Sequence, residues 1–260
     1  MRLAATIFAV LFALAPPAMA EVARADLARV GVHAPPGARA PLDSMFRDQD
    51  GRALTLGVAK GEGPALLVFT DYRCTTLCGP ALSIVAARIA KAGLHPGADF
   101  RLIAIGLNPK ATTQDAKAMW AARLSGDPAL LKASSFLSGS PQAIATTTAA
   151  LGYGYAYDPA TGQYTHPVAA FALAPDGRVT RVLSEVALNS VQLDNAIRDA
   201  AEGRTGDLID RIALLCHGLS LVGGRNNAAV LTGLRIGGAA TLFALAGGLG
   251  LLITRRRRVA

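Results

Sequence analysis

The run Ala65-Leu66-Leu67-Val68-Phe69-Thr70 shows no polar alternation, and a strand of that kind has to be buried on both faces. Helices must cover it, which points to an α/β fold. A second buried strand is expected over residues 100–105, Phe-Arg-Leu-Ile-Ala-Ile. Between the two, a helix is expected from Gly79 or Pro80 to about Ala92. Pro80 suits its first turn, Leu82, Val85, Ala86 and Ile89 form its apolar stripe, and Gly93 ends it.

The pattern continues in the same style. Thr112-Thr113-Gln114-Asp115 opens a helix that reaches Leu124, Ser135-Phe136-Leu137 reads as a short strand, and Ser140-Pro141-Gln142 opens a helix to about Leu151 that Gly152 stops. Upstream, two alternating segments between Pro41 and Leu56 flank Asp50-Gly51, the signature of an N-terminal β-hairpin. Downstream, residues 168–173 and 179–183 are β-rich and joined by Ala174-Pro175-Asp176-Gly177, which is turn chemistry. Asn189 is the expected cap of a last helix through about Ala201, and residues 206–215 are expected to add a further turn or two. Parallel strands first and an antiparallel hairpin last, with a cysteine pair at the end of an early buried strand, suit a thioredoxin-like α/β fold.

The two ends of the 260-residue chain read as membrane segments. Residues 1–20 begin Met1-Arg2, run through an apolar stretch and finish Ala18-Met19-Ala20, which suits signal peptidase and cleavage before Glu21. Residues 236–254 carry no charge and are long enough to cross roughly 30 Å of hydrocarbon. Arg255 to Arg258 follow at once, and four arginines at the end of an apolar helix stay on the cytoplasmic side, which leaves the body on the other. The expected organisation is a signal peptide at 1–20, a linker at 21–40, the α/β domain at 41–203, a membrane-proximal segment at 204–227, a single transmembrane helix at 228–254 and a basic tail at 255–260. The expected location is the inner membrane with the domain on the periplasmic side.

The net charge of +8 invites a nucleic-acid reading, but its placement excludes one. Without Arg2 and the four tail arginines, 26 basic residues become 21 against 18 acidic, so the body is only about +3. The basic excess belongs mainly to topology.

Three cysteines in an exported chain are an odd number, so they do not form a framework of paired structural disulfides. Cys74 and Cys78 are too close in sequence to gain much as a staple. They lie in Phe69-Thr70-Asp71-Tyr72-Arg73-Cys74-Thr75-Thr76-Leu77-Cys78-Gly79-Pro80, between a buried strand and a helix start, where unpaired amides and the helix dipole favour thiolates. The spacing is neither the Cys-x-x-Cys of ordinary thioredoxins nor, lacking a following His, a haem attachment site. Asp71, Tyr72 and Arg73 flank the pair, either tuning its charge or as ordinary surface residues, His33 and His95 are read as solvated, and Cys216-His217 as a bystander in preference to an auxiliary ligand pair or a resolving thiol.

This segment resembles the Sco/SenC family, where Cys-x-x-x-Cys after a Phe-x-x-Tyr-like strand end is joined by a distant His. His166, in Tyr164-Thr165-His166-Pro167-Val168, stands 88 residues after Cys78, a separation similar to the family's. Ile103-Ala-Ile-Gly-Leu-Asn-Pro-Lys-Ala-Thr-Thr is similar to the family's strand-to-helix segment. The likeness runs from about Pro41 to Ala201. The chain departs from the pattern in having Thr75 and Gly79, not Pro, after the cysteines, no acidic residue between them, and Asn108 in place of Asp.

The resemblance implies a copper site of Cys74, Cys78 and His166. Two thiolates and an imidazole are a soft set suited to Cu(I) and, with an added ligand, to Cu(II). It further implies a metallochaperone that delivers copper to cytochrome c oxidase subunit II, or prepares that subunit's dinuclear copper site, with another copper or thiol client in its place as the variant. The alternative is a membrane-tethered thiol-disulfide oxidoreductase with Cys74 and Cys78 as its redox pair and His166 as modulator. A peroxiredoxin-like reading of Thr75-Thr76-Leu77-Cys78 finds no activating arginine in the sequence.

Overall fold

The computed structural model describes residues 29–74, 78–159, 162–188, 190–205, 236–238 and 241. The chain divides into two units, Met1–Leu215 and Cys216–Ala260. In the second, residues 236–238 and 241 are helical, and the Thr241 hydroxyl donates to the Gly237 carbonyl at 2.8 Å. The leader at 1–20, Cys216-His217, nearly all of the apolar span at 228–254 and the basic tail lie outside the described residues. Among those described, no helix is long and apolar enough to cross a membrane.

In the first unit, β1 (Gly31–Val32) precedes the hairpin of β2 (Met45–Arg47) and β3 (Ala53–Thr55), followed by α1 (Leu56–Lys60). Then come β4 (Ala65–Thr70), α2 (Cys78–Lys91), β5 (Arg101–Gly106), α3 (Thr113–Leu124), α4 (Pro128–Lys132), β6 (Ser134–Gly139) and α5 (Pro141–Ala150). The remainder is β7 (Tyr153–Gly154), β8 (Ala156–Asp158), β9 (Gln163–Thr165), β10 (Ala169–Leu173), β11 (Val179–Ser184), α6 (Glu185–Leu188) and α7 (Val191–Ala201). Seven strands form one sheet in the order β11-β10-β4-β5-β6-β2-β3. β4, β5 and β6 are parallel, while β10 and β11 on one side and β2 and β3 on the other are antiparallel.

The alternation of strand side chains sorts the core into two layers. Leu66, Val68, Leu102, Ala104, Ala170 and Ala172 face one cluster, which includes Leu82, Val85 and Ile89 of α2, Ala116 and Met119 of α3 and Leu193 and Ile197 of α7. Their neighbours Leu67, Phe69, Ile103, Ile105, Phe171 and Leu173 face the other, which includes Leu56 of α1 and Ile144 of α5. All six residues of β4 are buried, as the unalternated run requires.

Local chemistry sets the boundaries. Thr112 and Asp115 form a reciprocal capping box on α3, and Ser140 accepts from the Ala143 amide to start α5. Gly152 stops α5 at φ 62°, and Gly177 makes the β10–β11 turn at φ 80°. The last helix is capped by Ser190, whose hydroxyl accepts from the Gln192 amide, and not by Asn189. The short helices α1, α4 and α6 and the hairpin of β8 and β9 have no counterpart in the sequence reading.

Candidate functional site

The sheet register brings the two halves of the motif together. β4 and β10 are antiparallel with Ala170 opposite Val68, so the chain leaving β4 toward Cys74 runs beside the chain that enters β10 through His166. The cysteine turn and the segment entering β10, far apart in sequence, thus lie at the same end of two neighbouring strands.

Two buried side chains hold the turn before the first cysteine. Asp71 is 0% exposed, and its carboxylate accepts from the Arg73 amide at 3.0 Å and the Tyr164 amide at 3.3 Å. The Cys74 amide donates to the Asp71 carbonyl at 3.0 Å, closing the turn. Asp71 therefore ties the cysteine turn directly to the strand that leads into His166. Tyr72 is buried as well, stacked on Phe136, and its hydroxyl donates toward the carbonyls of Ala104 at 2.8 Å and Leu137 at 3.0 Å. Burial holds its phenol well above the usual range. Of the two roles read from the sequence, burial removes the ordinary surface one for both residues, since a short polar segment after a buried strand gives no sign of which way it turns. Arg73 is exposed, as expected.

Cys74 is half-buried at the end of this turn, and Cys78 is the first residue of the 14-residue helix α2. Residues 75–77 and the Cys78 side chain lie outside the described residues. Among the described residues, no three His, Cys, Asp or Glu side chains are grouped so as to hold a metal ion.

His166 is half-buried, with Nδ1 3.0 Å from the Tyr153 hydroxyl and 3.2 Å from the Pro167 carbonyl. The Tyr153 hydroxyl donates to that same carbonyl at 2.7 Å, which leaves its oxygen to accept from Nδ1. The proton then sits on Nδ1 and the lone pair on Nε2, the tautomer that ligates a metal through Nε2. Burial pushes the imidazole pKa down, against the opposing pull of the Pro167 carbonyl and the Asp71 charge. A neutral ring is the form that binds a metal. Tyr153 is itself fixed by its ring contact with Phe69 at 4.4 Å between centroids.

Tyr153 was missed in the sequence, although Tyr153, Tyr155 and Tyr157 alternate with small residues in the strand pattern that became β7 and β8. Asn108, where Asp was expected, accepts from the Lys110 amide at 3.0 Å and makes the tight turn that either residue can make. Gly79, the other departure, gives room to Arg123. A side-chain carbon at Gly79 would stand 2.5 Å from Arg123 Nε and 2.6 Å from Cζ, so the guanidinium lies against the backbone just after Cys78. His33 and His95 are exposed, as read. A shallow hollow of about 370 Å³ lies elsewhere, lined by Asp48, Arg101, Trp120 and Lys132 among others.

The domain has a thioredoxin-like α/β fold that recurs in solved structures. It is similar to a candidate electron transfer protein of Aquifex aeolicus VF5, with a TM-score of 0.54 and 23% identity over 65% of this chain and 95% of that one. It is similar to Arabidopsis thaliana ScoI with copper bound, at TM-score 0.50 and 18% identity over 60% and 96%. It is similar also to BsSco, a member of the Sco family of cytochrome c oxidase assembly proteins, at TM-score 0.50 and 20% identity over 64% and 96%. No family model matches the sequence, and no curated protein matches it.

Proposed function

We propose that this chain is a copper-handling protein of the Sco kind, with Cys74, Cys78 and His166 as the ligands. The observation that carries the reading is the Asp71 carboxylate, which bonds the cysteine turn to the strand entering His166. Support comes also from the neutral imidazole with its lone pair on Nε2, and from a fold shared with a copper-bound ScoI. Two sulfurs and one imidazole suit Cu(I), and exchangeable thiolates suit copper that is passed on.

In this reading copper is cargo, the client is cytochrome c oxidase subunit II or another copper or thiol protein, and delivery or thiol preparation of a dinuclear copper site is the task. The leader at 1–20, the apolar span and the four arginines of the sequence support an exported domain held at the inner membrane by a C-terminal anchor. A second reading, thiol-disulfide exchange by the same cysteine pair, is favoured by the place of Cys78 as the first residue of α2, where the helix dipole stabilises a thiolate.

The test is copper stoichiometry and affinity of the reduced full chain in detergent, beside Cys74→Ala, Cys78→Ala and His166→Ala. One tightly held copper, lost in either cysteine variant and weakened in the histidine variant, is the expected result. A chain that holds no specific copper while its cysteine pair cycles readily would shift the assignment to the oxidoreductase.

A further inference from the structure

Two arginines border the backbone around the cysteine motif, and among the described residues neither has an acidic partner. Arg73 precedes Cys74 and is exposed, and Arg123, exposed near the end of α3, rests its guanidinium on Gly79 beside Cys78. The ion pairs of the described residues use Arg39, Arg52, Arg88, Arg178, Arg181 and Arg204, and neither of these two. From Tyr72 through Ala98 the chain has no acidic residue, and Asp71 is fully buried with its oxygens on backbone amides. Thr70 pairs with Gly106, so the loop after β5, with its exposed Lys110, emerges at the same end of the sheet.

A guanidinium that meets a carboxylate makes charge-assisted, often bidentate hydrogen bonds to it. Among the described residues the two arginines at the motif have no such partner, and Gly79 supplies the space for Arg123. From this arrangement we infer that the rim selects an acidic client, a protein whose cysteine pair is flanked by carboxylates. The inference rests on the reading of Cys74 and Cys78 as an exchange-competent pair and names the chemistry of what they meet. Charges carried next to Cys74 in sequence and against the Gly79 backbone act on a docking partner within a Debye length of about 8 Å, and so steer its encounter and orientation.

The experiment uses the reduced full chain in detergent and two synthetic peptides, each with one internal disulfide, identical except for aspartates or lysines beside the cysteines. One chain thiolate attacks the peptide disulfide, forms a mixed disulfide and releases one peptide thiolate. The second chain thiolate then displaces the other, leaving a Cys74–Cys78 disulfide and a reduced peptide that takes up its protons from water. The aspartate peptide should be reduced about tenfold faster than the lysine peptide at low salt, with the preference shrinking as salt is raised. The double variant Arg73→Gln/Arg123→Gln should treat the two peptides alike while reacting unchanged with the neutral bis(2-hydroxyethyl) disulfide. Equal rates in the parent chain, a preference for lysine, or a preference that survives in the double variant would overturn the inference. Failure to reduce any of the three disulfides would overturn the exchange-competent pair itself, and the inference with it.

Discussion

The Tyr153 hydroxyl stands 3.0 Å from His166 Nδ1 and gives its own proton to the Pro167 carbonyl at 2.7 Å. A phenol that donates elsewhere can only accept from the ring, and this fixes which imidazole nitrogen carries the proton. Tyr153→Phe keeps the aromatic packing on Phe69 and removes that acceptor. Copper affinity should fall about tenfold, the scale at which outer partners of a ligating histidine act. Competition against a Cu(I) chelator measures it, and an unchanged affinity would show that the ring is oriented without Tyr153.

The depressed pKa of His166 has a consequence for stability that can be signed. Burial, its main cause, disfavours the charged ring in the fold, whereas the unfolded chain takes up its proton near pH 6.5. The unfolded state therefore binds more protons below that pH, and stability falls as pH drops from about 6.5 toward the lowered folded value. Above that window the contribution is fully present. Urea midpoints between about pH 7.5 and about pH 5.5 should fall more steeply for the metal-free chain than for His166→Gln. Parallel slopes for the two proteins would refute a neutral buried ring.

Asp71 serves both halves of the candidate site, so its removal has two readouts. Asp71→Ala leaves the Arg73 and Tyr164 amides without their partner and should cost about 2 kcal/mol in denaturant unfolding. Asp71→Asn, which keeps one carbonyl oxygen, should cost about half as much. Copper affinity should fall in both, since nothing then bonds the cysteine turn to the strand before His166. Lost stability with intact affinity would mean that the sheet register alone positions the ligands.

Much of the fold could be read from the chain because the signals are local. The unalternated β4, the capping box at Thr112, Pro141 at the start of α5 and the Asp176-Gly177 turn act within a few residues of themselves. The candidate ligands could be read only through resemblance, since nothing short-range links Cys78 to a histidine 88 residues later. What stayed hidden came from tertiary approach. Asp71 and Tyr72 look like loop residues until the sheet shows their partners on β5, β6 and β9. Arg123 meets Gly79 only because α3 packs beside α2. Ser190 takes the cap expected of Asn189 because neighbouring polar residues compete for that role and sequence does not rank them.

Gly106, the last residue of β5, is required by the ring of Tyr72. A side-chain carbon there would lie 2.6 Å from one ring carbon and 2.9 Å from another, and the ring is pinned by its hydroxyl to two carbonyls and by Phe136 beneath it. It has no open space to move into, so Gly106→Ala should destabilise the domain by about 2 kcal/mol or more, as overpacking of a filled core does. The turn that follows Tyr72 carries Cys74, and a ring forced outward takes the cysteine with it. Gly106→Ala should thus weaken copper binding as well as stability, whereas Tyr72→Phe, which frees two carbonyls but keeps the ring, should cost stability alone. Denaturant unfolding and chelator competition on the two variants separate these effects. A Gly106→Ala chain with unchanged unfolding midpoint would show that the turn yields without cost, and that the buried tyrosine does not anchor the first cysteine.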